Sequence, residues 1–403
     1  MTSGSGVPGG PPGGAAASSG GAAASSGGTA GSSGGSAGVA GAAACCGASD
    51  GGCAAAALRS GSGAPRVRWL IADSVWWGGR LRSRVALRVG ENGIAKPVPG
   101  ELAPVAGTRR FRGTLLPGLV DAHVHAALVD LTAVRAGGIG SVWDLGGVPK
   151  DLEDLAERAR QPGTDLPLVR YAGPFLIAPG GYPSDRSWAP AGSWREIRSA
   201  ADAHEAVAEA RSAGASLIKV TAHAGGPLLP QDTLTSLVGA AHASGLEVVV
   251  HAEGTGTVAA ALDAGAGILA HTPWTERLDD DLVRACAERM RWISTLDIHG
   301  WGTPDPAREI AVDNLRRFLG YGGSVRYGTD LGNGPLPAGV NVREIRALQE
   351  AGLEPHAVLS AMTESDSSVL SVVDGGLDLD ADRFADSLAT ARAIDGTALP
   401  NHC

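Results

Sequence analysis

Read by its apolar and polar positions, this chain of 403 residues falls into three stretches with different rhythms. From Met1 to about Pro65 there is no apolar period at all, and the residues are almost entirely Gly, Ala and Ser with no aromatic residue. Such a stretch has too few large side chains to offset the entropy of ordering it, so residues 1–65 are predicted to be a disordered tail. From Val67 to Gly113 the pattern is short and strand-like, in the runs Val67–Ala72 and Arg84–Val89. The second run alternates apolar and polar residues, as a strand with one buried face does. Gly78-Gly79 and Glu91-Asn92-Gly93 supply the turns.

After Leu115 a strand, loop and helix repeat. The predicted strands are Leu119–His123, Ser141–Leu145, Leu168–Ala172, Leu217–Thr221, Glu247–His251, Gly267–His271, Trp292–Leu296 and Val325–Thr329. Helical patterns lie between them, for example at Ala203–Ala213, Asp232–Ser244, Asp279–Arg289 and Ala307–Leu319. Gly138, Gly214, Gly245, Gly265 and Gly323 mark the helix-to-strand returns. Eight strands each followed by a helix predict an α/β fold, a (β/α)8 TIM barrel. An open doubly wound sheet is the alternative, but it would gather the chemistry at one crevice. Phe384–Ile394 reads as a further strand, expected to join the N-terminal strands in a small β-sandwich. The expected division is thus a tail (1–65), a small β-domain (66–114 with 375–403) and a barrel (115–374).

Composition narrows the partners. A formal net charge of −9 argues against nucleic acid or an anionic membrane. No stretch is long and apolar enough to span a bilayer, and the tail lacks the basic and apolar regions of a secretory signal. Cys45, Cys46, Cys53, Cys286 and Cys403 form neither a CxxC pair nor a zinc-finger spacing, which fits a cytoplasmic location. A small-molecule substrate is the expected partner, and a dimer the simplest assembly.

The candidate chemistry sits at strand ends. His123 and His125 lie in the run Pro117-Gly118-Leu119-Val120-Asp121-Ala122-His123-Val124-His125. Alternate residues of a strand share a face, so both imidazoles point the same way. Alone, such a pair is better read as two ordinary core or surface histidines. Lys219 follows Leu217-Ile218, where a lysine is costly unless paired, shifted in pKa or modified; snorkelling to the rim is the plain alternative. A neutral amine there can take up CO2 and become a carbamate whose two oxygens bridge two metals. His251 closes Val248–Val250, His271 closes Gly267–Ala270, and Asp330 closes Val325–Thr329. Metal-type residues thus end the first, fourth, fifth, sixth and eighth strands, on the side where barrel active sites form.

With these residues the chain resembles the amidohydrolase superfamily of metal-dependent hydrolases. The resemblance covers about residues 67–395 and centres on Pro117–His125. It implies that His123 and His125 bind the more buried of two divalent cations, read as zinc, with a single cation as the alternative. It implies further that carboxylated Lys219 bridges the two, that His251 and His271 bind the second, and that Asp330 is both ligand and base. Trp143–Gly147 and Gly328–Asp330 look most like the branch with imidazolonepropionase-like and prolidase-like enzymes. That branch often carries a Gly-Gly-His loop after the third strand, where this chain has Gly180-Gly181-Tyr182, a departure that bears on substrate rather than metal.

The expected reaction is attack by a metal-bridging hydroxide on a polarised carbonyl, with Asp330 carrying the proton to the leaving nitrogen. The bond would be a C–N bond in a cyclic amide, imide, N-acyl amino acid or dipeptide. A phosphotriesterase or lactonase would use the same site, and a catalytically silent scaffold is the non-enzyme reading. No Gly-x-Ser-x-Gly elbow follows a predicted strand, which argues against a serine hydrolase. Specificity is expected from the loops, the longest being Pro174–Trp194 with Tyr182, Arg186 and Trp188. Tyr182, Arg186, His223, Trp274, His299 and Asn333 are the candidate substrate contacts, and Tyr182 or His223 the candidate oxyanion donor.

Overall fold

The computed structural model describes residues 68–90, 93–99, 108–364 and 368–395. The Gly/Ala/Ser-rich stretch, Val67, Glu91-Asn92, and Cys45, Cys46, Cys53 and Cys403 lie outside them, so the readings made of those residues do too. Among the described residues the free cysteine Cys286 is buried, and burial pushes its thiol up to about 12.

The first strands form a sheet of their own. β1 (Arg68–Trp77) turns through Gly78 and Gly79, with φ of 56° and 73°, into antiparallel β2 (Arg80–Ser83). These left-handed angles suit residues without a Cβ. β3 (Val85–Val89) lies between β1 and β4 (Ala95–Pro99), and β5 (Arg109–Pro117) runs parallel to β1.

Parallel strands follow. β6 (Leu119–Val124), β7 (Ile139–Asp144) and β8 (Leu168–Tyr171) form one parallel sheet. β9 (Phe175–Ile177), β10 (Trp194–Glu196), β11 (Leu217–His223), β12 (Glu247–Glu253), β13 (Ile268–Leu269), β14 (Arg291–Ile293) and β15 (Ser324–Arg326) form another, in the order β10-β9-β11-β12-β13-β14-β15. Backbone hydrogen bonds tie the two sheets together on both sides. Ser216 N donates to Tyr171 O at 3.0 Å, and Ala122 N to Tyr327 O at 3.0 Å. Beyond the strands, Leu331 N donates to His123 O and His125 N to Leu331 O. The fold is therefore mixed α/β, built on parallel strands with helices between them.

Side-chain packing explains the strand sequences. β6 and β7 are buried at every position, the polar Asp121, His123, Ser141 and Asp144 included, so neither shows the alternation of a half-exposed strand. One face supplies a cluster that draws Val120, Trp143, Leu217, Val249, Ile268 and Ile293 from different strands. The opposite face packs on the helices, for example Trp292 stacked on Phe318 with ring centres 3.9 Å apart. The helices start where the chain supplies side-chain caps: Ser199 accepts from Asp202 N, and Asp279 accepts from Leu282 N.

Four sequence readings change. β9 lies inside the expected loop Pro174–Trp194, and β10 begins at its last residue. Gly173 (φ 75°) breaks the third strand, and buried Phe175-Leu176-Ile177 resumes it beside β11. Phe384–Ile394 is not one strand: Ala381–Leu388 is a helix capped by Asp380, and only β17 (Ala391–Asp395) is extended. Phe384, Ala385 and Leu388 share one helical face that is buried, so packing overrides the local alternation. β16 (Val369–Val373) pairs with β5 and β17 and so belongs with the N-terminal strands, although it lies before residue 375. Together β1–β5, β16 and β17 make one continuous seven-stranded sheet, where a sandwich of N- and C-terminal strands was expected.

Candidate metal centre

The six candidate ligands arrive from five strands. His123 is in β6 with His125 just after it, Lys219 is in β11, and His251 is in β12. His271 lies just past β13, and Asp330 four residues past β15. Asp330 has φ 58°, a left-handed angle rare outside glycine that turns its carboxylate back toward β6. Its Oδ1 lies 3.0 Å from His123 Nε2 and 3.2 Å from His125 Nε2. Ring centres of His123 and His271 are 4.6 Å apart, and those of His251 and His271 4.9 Å. The ligand atoms of His123, His271 and Asp330 all fall within 4.8 Å of one another.

Neighbouring groups fix which nitrogen faces inward. His123 Nδ1 lies 2.8 Å from Ala270 O, which can only accept, so Nδ1 carries the hydrogen and Nε2 offers a lone pair. His271 Nδ1 lies 2.9 Å from the Thr295 hydroxyl, itself on a residue with φ 45°. His251 Nε2 is 3.0 Å from Glu253 Oε2, which leaves Nδ1 for the interior. His125 is held more loosely, its Nδ1 3.4 Å from Gly146 O. That turn needs a glycine: at φ 144°, a Cβ on Gly146 would sit 2.2 Å from the Phe175 ring. Asp144 holds the turn by accepting from Gly146 N and Ala126 N.

Asp121 joins the two halves of the cluster. Its Oδ1 accepts from His123 N at 3.1 Å and Thr329 N at 3.0 Å, and its Oδ2 accepts from Thr329 Oγ1 at 2.6 Å. One buried carboxylate therefore holds the backbone of a candidate ligand and of the residue before Asp330. Sequence reasoning passed over Asp121 and Glu253, although each lies two positions from a histidine and so on the same strand face. Thr295 carried no sequence signal.

Burial sets the electrostatics. It drives His123 and His271 well below the ordinary imidazole range and lowers His251 as well. Burial alone would raise Asp330, but positive charge at the imidazole cluster it faces, of His123, His125 and His271, holds it well below the usual carboxylate range. Lys219, 2% exposed, is pulled down to about 7 by burial against the opposing pull of Asp330 and Asp144. Its amine is thus substantially neutral near pH 7. An ionised oxygen facing two nitrogens, one with its lone pair turned toward it, is an arrangement that a cation stabilises. Consistent with that, Asp330 Oδ1 receives no well-aligned hydrogen bond among the described residues. The donor set of imidazole nitrogens and carboxylate oxygen fits a divalent cation such as zinc.

The cluster floors a cavity of about 110 Å³ that opens into a second chamber of about 290 Å³. Tyr182 and Asn333 line both chambers and Trp274 the inner one, as do Glu253, Phe175 and Ile298. Tyr182 stacks on His251 with ring centres 5.2 Å apart. Three expected contacts line neither chamber. His223 is tied by Nδ1 to Glu253 Oε2 at 2.9 Å, behind Tyr182. His299 sits against Trp274, lowered to about 4 by burial. Arg186 lies over the Tyr182 ring and pairs with Asp185 at 3.4 Å.

Residues 114–372 match the model of the amidohydrolase family. The chain belongs to that family, a C–N bond hydrolase by class. No curated protein matches it in sequence. Among solved structures it is similar to a Xaa-Pro dipeptidase with methionine bound in its active site, at 18% identity and TM-score 0.66, over 82% of this chain and 98% of that one. It is similar also to A. niger ochratoxinase, at 17% identity and TM-score 0.68, over 82% and 95%. A third is a prolidase complexed with N-methylphosphonate-L-proline, at 18% identity and TM-score 0.64, over 83% and 99%. At these identities the likeness is one of fold. Among the described residues no helix is long and apolar enough to cross a membrane.

Proposed function

We propose that the chain is a metal-dependent amidohydrolase that cleaves an amide C–N bond of a small molecule, on a site built from His123, His125, Lys219, His251, His271 and Asp330. The carrying observation is the contact of Asp330 Oδ1 with Nε2 of His123 and His125, at 3.0 and 3.2 Å, where the His123 tautomer turns a lone pair toward an ionised oxygen. The eight parallel segments β6, β7, β8, β11, β12, β13, β14 and β15 are read as a closed barrel. The bonds Ser216 to Tyr171 and Ala122 to Tyr327 support that closure.

In this reading His123 and His125 would hold one divalent cation and His251 and His271 a second, with zinc the expected metal and Lys219, as a carbamate, a further ligand. Bound there, such cations supply Lewis acidity and lower the pKa of water to about 7. The chain does the rest. Asp330, ionised and buried, takes a proton from the water whose oxygen bonds to the carbonyl carbon, and passes it to the nitrogen as the C–N bond breaks. Asp121 keeps His123 and Asp330 in register, Glu253 and Thr295 orient His251 and His271, and Tyr182 offers its hydroxyl to the developing oxyanion.

Elemental analysis of the purified protein, with a panel of hydantoins, lactams, N-acyl amino acids, dipeptides and anilides, tests the proposal. One or two equivalents of divalent metal and amine release from a panel member are expected. Metal-free protein inert to every amide would overturn it, and faster turnover of lactones or organophosphates would favour the esterase reading of the same site.

A further inference from the structure

We propose that this cavity selects amides that carry an aromatic ring and no free carboxylate, with Glu253 as the residue that turns carboxylates away. The inference rests on the C–N hydrolase reading above and concerns what surrounds the reacting bond.

Aromatic rings flank the candidate ligands on two sides. Trp274 meets His271 edge-on at 5.3 Å and His251 at 5.9 Å. On the other side, Trp188 lies 6.1 Å from each of His125, Phe175 and Tyr182. These spacings leave ring faces and edges open to an aromatic substrate in offset or T-shaped contact. The outer chamber continues the same surface. Trp188, 38% exposed, and Leu128, 47% exposed, line it, and exposed apolar side chains of that size gathered at one mouth mark a binding surface.

The charges lining the two chambers point the same way. Among the described residues that line them, the sole lysine or arginine is Lys219, at the floor among the candidate ligands. Arg186, the cation that the loop sequence offers for a substrate carboxylate, pairs with Asp185 instead. The wall carries Glu253, whose Oε2 is shared by His251 and His223. A substrate carboxylate away from the reacting carbonyl would enter with no guanidinium or ammonium to meet it and the Glu253 carboxylate on the wall, with Asp330 at the floor, opposing it. Desolvating a charge under those conditions is unfavourable, whereas a neutral carboxamide or a protonated amine meets no such opposition. N-acyl amino acids and dipeptides with a free C-terminus are thereby selected against.

Two ligands of matched size and shape isolate the charge: 4-acetamidobenzamide and 4-acetamidobenzoate. Binding to the metal-loaded enzyme is measured by calorimetry and amine release by chromatography, for the native protein, Glu253→Gln and Trp188→Ala. The benzamide is expected to bind at least about tenfold more tightly than the benzoate. Glu253→Gln, which keeps an oxygen for the imidazoles, is expected to bring the ratio within about threefold, the two ligands being compared on the same metal-loaded sample. Trp188→Ala is expected to weaken both ligands and leave their ratio intact. Benzoate binding as tight as benzamide, a ratio unmoved by Glu253→Gln, or no binding of either ligand would overturn the inference. If the ratio holds but neither amide is cleaved, the inference stands and hydrolysis of such bonds is what fails.

Discussion

Glu344 braces the loop that carries part of the site, and replacing it by glutamine converts that role into a measurable slope. It is fully buried in the helix Val342–Glu350, and its Oε2 accepts from Asp297 N at 2.7 Å. Asp297 also takes Asn341 Nδ2 at 2.8 Å and Arg343 Nε at 2.8 Å, which fixes the turn between Thr295, the partner of His271, and Ile298 in the cavity wall. Burial raises the Glu344 carboxyl from 4.5 to about 7. Its folded pKa is therefore the higher one, so the native state keeps a proton that the unfolded chain releases between those values. Stability from this group is fully present below pH 4.5, falls as pH rises, and is lost once pH passes about 7. At 1.36 kcal/mol per pH unit the loss is on the order of 3 kcal/mol. Glu344→Gln keeps an acceptor for Asp297 N and has no proton to lose. Urea unfolding of both proteins at pH 4, 5, 6, 7 and 8 (values chosen to bracket about 4.5 to 7) should show the variant gaining on the native protein between about 4.5 and 7 and levelling off above. A stability difference that is flat with pH, or that moves toward the native protein, would refute the reasoning.

Three further outcomes are expected. Asp330→Asn should cut kcat by about two to four orders of magnitude, the range for losing a positioned proton carrier, while elemental analysis still finds metal; near-native kcat would exclude Asp330 from that role. Gly328→Ala would bring a Cβ 2.3 Å from Ile293 Cγ2 and 3.0 Å from His123 N. Denaturant midpoints should register a cost of about 1–3 kcal/mol, with a loss of metal affinity as His123 is displaced; unchanged midpoint and affinity would mean that the strand yields freely. Dialysis against a chelator should lower the thermal midpoint and zinc should restore it, because a ligand at about 100 times its Kd stabilises by about 2.7 kcal/mol. A midpoint indifferent to chelator and metal would argue against any resident cation.

The candidate ligands were legible because each is a residue out of place. Lys219 interrupts an apolar strand, and His251 and His271 end runs that otherwise hold Val, Ile, Leu and Ala. The groups that hold them were harder to read. Thr295 and the carbonyl of Ala270 are chemically ordinary, and their hydrogen bonds span 24 and 147 residues of sequence. Arg186, His223 and His299 show the reverse error. They are chemically suggestive loop residues, yet Asp185, Glu253 and Trp274 hold them outside the cavity lining.

The sequence alone determined the strand-and-helix rhythm, because apolar period and glycine placement are local and survive in any packing that buries them. It determined which side chains bring metal-binding chemistry to the strand ends. Tertiary structure decided where an element stops, turning Phe384–Leu388 into helix once one face found a core. It also decided which imidazole nitrogen faces inward and which cations stay out of the cavity, since both depend on partners far away in the chain. Direction and charge balance at a site are set by contacts across space, and no local pattern encodes them.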